Sequence, residues 1–233
     1  MKVGYRVAFW RLLIRPVMRV IFRTLFCILA PVRLIGKENV PRGQPYVIAM
    51  NHVSIYDPPF MLAFWPEILE AMGATDIWHK PGQDMLVRLY GGIPVHRGEY
   101  DRKSIDTVLA VLRSGKPLLI APEGGRSHVP AMRRARPGVA YILDEARVPV
   151  IPVGIVGTTD DFWQQASRGK RPQLEIRIGK PFRLPPLEGK GVQRREARQR
   201  NADIIMSHIA GLLPEEYRGV YADRVILPTK TGQ

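Results

Sequence analysis

The chain has 233 residues, 35 of them lysine or arginine and 21 aspartate or glutamate, which leaves a net charge of +14. A hydrophobic content of 45% excludes disorder and low complexity and supplies enough core for one α/β domain without metal or disulfide staples. One cysteine, Cys27, excludes an intramolecular disulfide and a cysteine zinc cluster, so the excess charge calls for an anionic partner instead.

Residues 1–30 carry six of the positive charges, Lys2, Arg6, Arg11, Arg15, Arg19 and Arg23, and no acid. Bulky apolar residues, among them Phe9, Trp10, Phe22 and Phe26, lie between them. From residue 11 to 23 the arginines recur every fourth position, which on a helix makes one slowly drifting stripe. Pro16 is expected to kink or split that helix, because it removes a backbone donor. The longest uncharged stretch of this N-terminal segment, Thr24 to Val32, is too short to span a bilayer, and the arginines interrupt any signal-peptide core. Residues 1–31 therefore read as a basic amphipathic segment in the membrane interface, its arginines toward anionic head groups. Nucleic acid is the poorer partner, since the densest charge sits among apolar side chains and no aromatic–basic single-strand motif occurs.

From residue 32 short apolar runs alternate with helical periods. Val32–Ile35, Tyr46–Met50, Ile93–Val95, Pro117–Ala121, Val150–Ile155 and Leu174–Ile178 read as strands. Ile105, Val108, Leu109 and Leu112 keep helical spacing before Gly115; Val139, Ile142, Leu143 and Ala146 repeat it after Pro137; Ile205, Ile209 and Leu212 mark a late helix. The expected fold is a single α/β domain over residues 32–213, a largely parallel sheet flanked by helices, with 214–233 as a poorly structured tail.

Chemistry-bearing residues fall just past these strands. After Tyr46–Met50 comes Asn51-His52-Val53-Ser54-Ile55-Tyr56-Asp57-Pro58-Pro59, at the carboxyl edge where open α/β sheets keep their ligand crevices. His52 and Asp57 would stand about 140° apart on a straight helix, so they meet only if the junction bends. Asp57 either fixes the imidazole tautomer or caps the helix that Pro58 opens. After Pro117–Ala121 comes Pro122-Glu123-Gly124-Gly125-Arg126-Ser127, whose glycines admit close approach and whose arginine offers a fork for phosphate. Gly92-Ile93-Pro94-Val95-His96-Arg97 places another arginine at a strand end, and Val150-Ile151-Pro152-Val153 is an apolar strand interrupted by proline. No His-Glu-x-x-His pair, Walker loop or Gly-x-Ser-x-Gly elbow occurs, and no metal is implied.

In order and spacing these four stretches resemble the motifs of the glycerolipid acyltransferase family, over roughly residues 32–185. The resemblance makes His52 and Asp57 its His-x4-Asp catalytic pair. It gives Arg97, with Lys80, the acceptor phosphate, and puts Glu123, Gly124, Arg126 and Ser127 in the acceptor site. It makes Val150, Ile151, Pro152 and Val153 the acyl-chain pocket. Gly125 stands where the family usually has threonine, and Ala121 where it has phenylalanine. The function implied is transfer of a fatty acyl group from acyl-CoA or acyl-carrier protein to 1-acyl-glycerol-3-phosphate, giving phosphatidic acid. No cofactor beyond the thioester co-substrate is implied. Its partners would be membrane lipids, with the protein peripheral on the cytoplasmic face of a bacterial plasma membrane. Other lyso-lipids, such as lyso-ornithine lipid, are the alternative acceptors, and a catalytically silent membrane scaffold is the alternative of another class.

Overall fold

The computed structural model describes residues 5–96 and 101–227. Its centre is a seven-stranded sheet of order β1-β7-β6-β2-β5-β3-β4. The strands are β1 (Val32–Ile35), β2 (Val47–Met50), β3 (Glu70–Ala74), β4 (Ile93–Val95), β5 (Leu118–Ile120), β6 (Val150–Val156) and β7 (Leu174–Ile178). Strands β6, β2, β5, β3 and β4 run parallel; the β6–β7 pairing is antiparallel, and β1 follows β7 in parallel. β2, β5 and β6 are wholly or almost wholly buried, which is why they read as continuous apolar runs. β3, Glu-Ala-Met-Gly-Ala, lacks such a run and is invisible to that criterion.

Helices cover both faces. On one, α4 (Arg102–Arg113), α5 (Gly138–Ala146) and α7 (Gly191–Ala210) pack over Val47, Ala49, Leu118 and Ile120. On the other, α1 (Phe9–Leu29) and α2 (Asp57–Phe64) enclose Ile48, Met50, Ile151 and Val153, with Phe26 against the Phe60 and Phe64 rings. The remaining helices, α3 (Gln83–Tyr90) and α6 (Phe162–Ser167), bridge strands at the rim.

Two expectations need correction at the ends of the chain. The described part of the N-terminal segment, residues 5–31, packs into the domain and does not lie apart from it. α1 is one unbroken helix through Pro16, and Leu12, whose carbonyl loses its donor, is itself exposed, so water can satisfy it. Arg15 and Arg19 on α1 also turn toward the domain and not outward as expected. Arg15 is 2% exposed and pairs with Glu70 while donating to the Tyr90 carbonyl; Arg19 donates to the Ala63 and Trp65 carbonyls; Arg23 lies over the Phe64 ring. What α1 leaves outside is apolar: Phe9, Leu13, Val17, Val20, Ile21 and Ile28 are each more than half exposed. At the other end, residues 214–227 are not a loose tail. Two short 3-10 turns, Glu215–Tyr217 and Gly219–Arg224, pack onto α7 and bury Tyr217 and Tyr221, and the Tyr221 hydroxyl accepts from the Ala135 amide and donates to Asp203.

Candidate active site

β2 ends at Met50, and the turn that follows places His52 at the carboxyl edge of the sheet. Asn51 fixes that turn: its side-chain amide donates to the Ile155 carbonyl and accepts from the Ile155 N–H, tying the end of β2 to β6. Asp57 opens α2 with Pro58 and Pro59 in the first turn. Its carboxylate does not cap that helix. It reaches backwards, taking the Val53 and Ser54 amides at 2.7 and 2.9 Å and His52 Nδ1 at 2.8 Å on the same oxygen, Oδ2. The other oxygen accepts from the hydroxyls of Ser54 (3.3 Å) and Thr158 (2.5 Å). The bend that a straight helix forbids is thus made by the Asp57 carboxylate itself. A fully buried carboxylate with this many donors has no freedom to turn, so Nδ1 carries the proton and Nε2 is left to accept one.

The loop after β5 lies along the His52 turn. The Ser127 amide donates to the His52 carbonyl, and the His128 amide to that of Val53. Glu123 is buried beneath, with Oε1 accepting from the His52 N–H at 3.0 Å and Oε2 from the Arg133 N–H at 2.8 Å. Each of its oxygens is engaged by a backbone amide, so Glu123 helps to position the His52 turn. Burial pushes its carboxyl up to about 7, against the pull of the two amide donors.

His52 opens into a cavity of about 1020 Å³ between the sheet and α4, α5 and α7. Its walls are mainly apolar, with Met72, Ile105, Val108, Leu119, Val139 and Ile142 among them. Of the expected site residues, His52 and Gly124 line it. Arg126 does not; it lies 3.8 Å from Asp160. Lys80 does not either, being exposed and paired with Asp76. Ser127 turns its hydroxyl to the Val129 carbonyl. Arg97 lies outside the described residues. Val150, Ile151, Pro152 and Val153 do not line this cavity: they are in the buried strand β6 beside β2, and the cavity is on the β5–β3 side. Sequence inspection missed Thr158, although a polar pair directly after the apolar run of β6 marks the same edge as His52. It also missed Arg136, Arg195 and Arg198 on the cavity wall, for which no local signal exists, because helix packing alone brings them there. Among the described residues, no cluster of three or more metal-ligating side chains occurs.

A family model described as Acyltransferase matches residues 31–156. Human 1-acyl-sn-glycerol-3-phosphate acyltransferase alpha is 24% identical over 160 residues, covering 67% of this chain and 55% of that protein. Lyso-ornithine lipid O-acyltransferase of Pseudomonas aeruginosa is 27% identical over 210 residues, covering 82% and 78%. The crystal structure of the 1-acyl-sn-glycerophosphate acyltransferase PlsC from Thermotoga maritima shares the fold, with a TM-score of 0.59 at 20% identity over 84% of this chain and 79% of that one. The chain spans about half the length of the mammalian relatives it matches. With more than half of its residues inside the family match, and the His52–Asp57 pair at its centre, the chain belongs to the Acyltransferase family.

Proposed function

We propose that the protein transfers a fatty acyl group from acyl-CoA or acyl-carrier protein to the free hydroxyl of 1-acyl-glycerol-3-phosphate, giving phosphatidic acid at a membrane surface. The observation that carries this is the Asp57-oriented His52 at the mouth of a long apolar cavity. His52 Nε2 takes the acceptor proton as the hydroxyl oxygen attacks the thioester carbonyl, a contribution of roughly 10²–10⁴ in rate. The new ester bond forms as the thiol leaves, and the imidazolium returns its proton to the thiolate. No acyl-enzyme is needed. The Gly124 N–H is engaged by the Ala121 carbonyl, so Gly125, which lines the cavity, is the glycine left to donate to the tetrahedral oxyanion. The apolar walls accept the acyl chain.

The exposed face of α1 supports a peripheral membrane location. Its apolar residues form a contiguous surface of the kind that marks a lipid or protein contact. Beside it Arg19, Arg23, Lys37 and Arg171 line a cavity of about 440 Å³ with no acid among its lining residues, suited to an anionic surface. Among the described residues, no helix is long and apolar enough to cross a membrane.

Lyso-ornithine lipid is the second reading, favoured by the longer alignment to the Pseudomonas aeruginosa protein and by the pairing of Lys80 and Arg126 with acids away from the cavity. Purified protein given labelled acyl-thioester and a panel of lyso-lipids tests both: labelled phosphatidic acid supports the first, labelled ornithine lipid the second, and no product from any acceptor refutes the activity.

A further inference from the structure

The cavity that holds His52 is not apolar throughout. Where α5 and α7 meet, it is lined by Arg136, Arg195 and Arg198. Neighbouring arginines of α7 are neutralised, Arg194 by Asp144 and Arg200 by Glu196. These three have no carboxylate within ion-pair distance among the described residues. Among the described residues the one acid on the cavity lining, Asp101, is occupied in capping α4 through Ser104.

Arg198 is half-buried, while Arg136 and Arg195 are exposed at the rim. The Arg198 guanidinium lies 4.9 Å over the Tyr141 ring, and its Nε is buried with no hydrogen-bond partner. A buried donor of this kind is costly unless something accepts from it. Arg136 folds across Gly124, where a Cβ would come within 2.5 Å of its Cδ; the glycine leaves the room the arginine uses. Behind Arg136, α5 begins without a side-chain cap, and Gly138 faces the cavity with open space before it. The open first turn of α5 and the three cations therefore line the same end of the cavity.

We propose that Arg136, Arg195 and Arg198 bind the phosphate of the acyl-thioester donor, the phosphopantetheine phosphate that coenzyme A and acyl-carrier protein share, so that the donor enters between α5 and α7. The proposal rests on the acyltransferase reading and assigns its donor side. An acceptor phosphate lies two carbons from the reacting hydroxyl and must sit beside His52. The three arginines instead run outward from Gly124 to α7, a track suited to a long arm with its phosphate at the far end.

The test compares wild type with Arg136→Ala and with Arg195→Ala/Arg198→Ala, using palmitoyl-CoA, palmitoyl-acyl-carrier protein and phosphate-free palmitoyl-pantetheine. The expected result is a donor KM raised about tenfold or more with palmitoyl-CoA, an unchanged acceptor KM, and no difference between variants and wild type with palmitoyl-pantetheine. An increase with both phosphorylated donors upholds the shared phosphate; an increase with palmitoyl-CoA alone overturns it in favour of the nucleotide phosphates. An equal increase with palmitoyl-pantetheine, or a raised acceptor KM, overturns the proposal. Arg195→Lys/Arg198→Lys, with a thermal melt, guards against misfolding: it keeps the charge and should fall between the two. Should wild type transfer nothing, calorimetric titration with coenzyme A still decides the matter, because binding lost in the variants upholds the anion site and equal binding sinks it.

Discussion

Arg15 and Glu70 are joined by two parallel hydrogen bonds of 2.7 Å, both side chains 98% withdrawn from solvent. Tyr5 donates to the same carboxylate at 2.6 Å, and Lys116 stands 3.4 Å away. Burial by itself would raise the Glu70 carboxyl; the hydrogen bonds from Arg15 and Tyr5 overcome it and hold the group below its usual range. This pair fastens α1 to the first residue of β3. Arg15→Ala leaves a buried, unpaired carboxylate and should destabilise the fold by about 3–5 kcal/mol, whereas Arg15→Met with Glu70→Leu should recover most of the loss. Urea unfolding of the wild type and the two variants checks this. A double variant no more stable than Arg15→Ala alone would show that the pair itself is not the cause. Removing residues 1–28 should accordingly yield an unstable chain, not a soluble enzyme released from lipid.

His52→Ala should lower kcat by at least about 10²-fold without changing the melting temperature by more than a degree or two. Thr158→Val is the sharper test of how Asp57 is held. It preserves volume but removes the 2.5 Å bond to Oδ1, leaving only the 3.3 Å Ser54 hydroxyl on that oxygen. A kcat reduced about twofold to tenfold at unchanged KM is expected; a KM effect alone would place Thr158 in substrate binding.

Glu123 makes stability depend on pH in a particular window. Its folded value is about 7 against 4.5 in an ordinary setting. Between those values the folded chain holds a proton that the unfolded chain has released. Stability from this group is therefore complete below about pH 4.5 and is lost as pH rises toward 7, by at most about 1.4 kcal/mol per unit. Glu123→Gln cannot titrate. The wild-type melting temperature should fall relative to that variant between pH 5 and 7, and parallel curves would refute the raised value.

The apolar face of α1 predicts how vesicle binding fails. Leu13, Val17 and Val20 point away from the domain and are 61%, 57% and 64% exposed. Replacing all three by glutamate should cut pelleting with anionic vesicles more than tenfold and leave the melt unchanged, since each lost apolar contact is worth about 1.5–3 kcal/mol in lipid. High salt should weaken wild-type binding without abolishing it, because screening acts only on the cations. Full release by salt alone would make the attachment purely electrostatic.

How far the sequence could be read follows from where each signal resides. β2, β5 and β6 announced themselves because a buried strand needs an apolar run, and the partly exposed β1, β4 and β7 by shorter apolar patterns, while β3 lies over Trp78 with a glycine and small residues and carries no such run. His52 and Asp57 were legible as a pair of residue types at a strand end, but not the four further donors that fix the carboxylate, because Thr158 arrives from another strand. Glu123 was legible as chemistry, but its backbone partners were not, since no motif displays the amides its oxygens accept from. The arginines of α1 were legible as a stripe; their direction was not, because it depends on Glu70 and on carbonyls at the end of α2, residues remote in the chain.

The pairing of Val32 with Leu174 has a consequence for how the protein is made. β1 emerges early in translation, yet its partner strand is near the end of the domain. At roughly 5–20 residues per second, many seconds separate them on the ribosome. During that interval α1 is present, but the strands it will cover are incomplete, so a nearby bilayer is the one apolar surface on offer. Membrane attachment should then precede folding: ribosomes stalled before Leu174 should co-fractionate with anionic vesicles through α1, while stalled chains carrying glutamate at 13, 17 and 20 should stay in the supernatant.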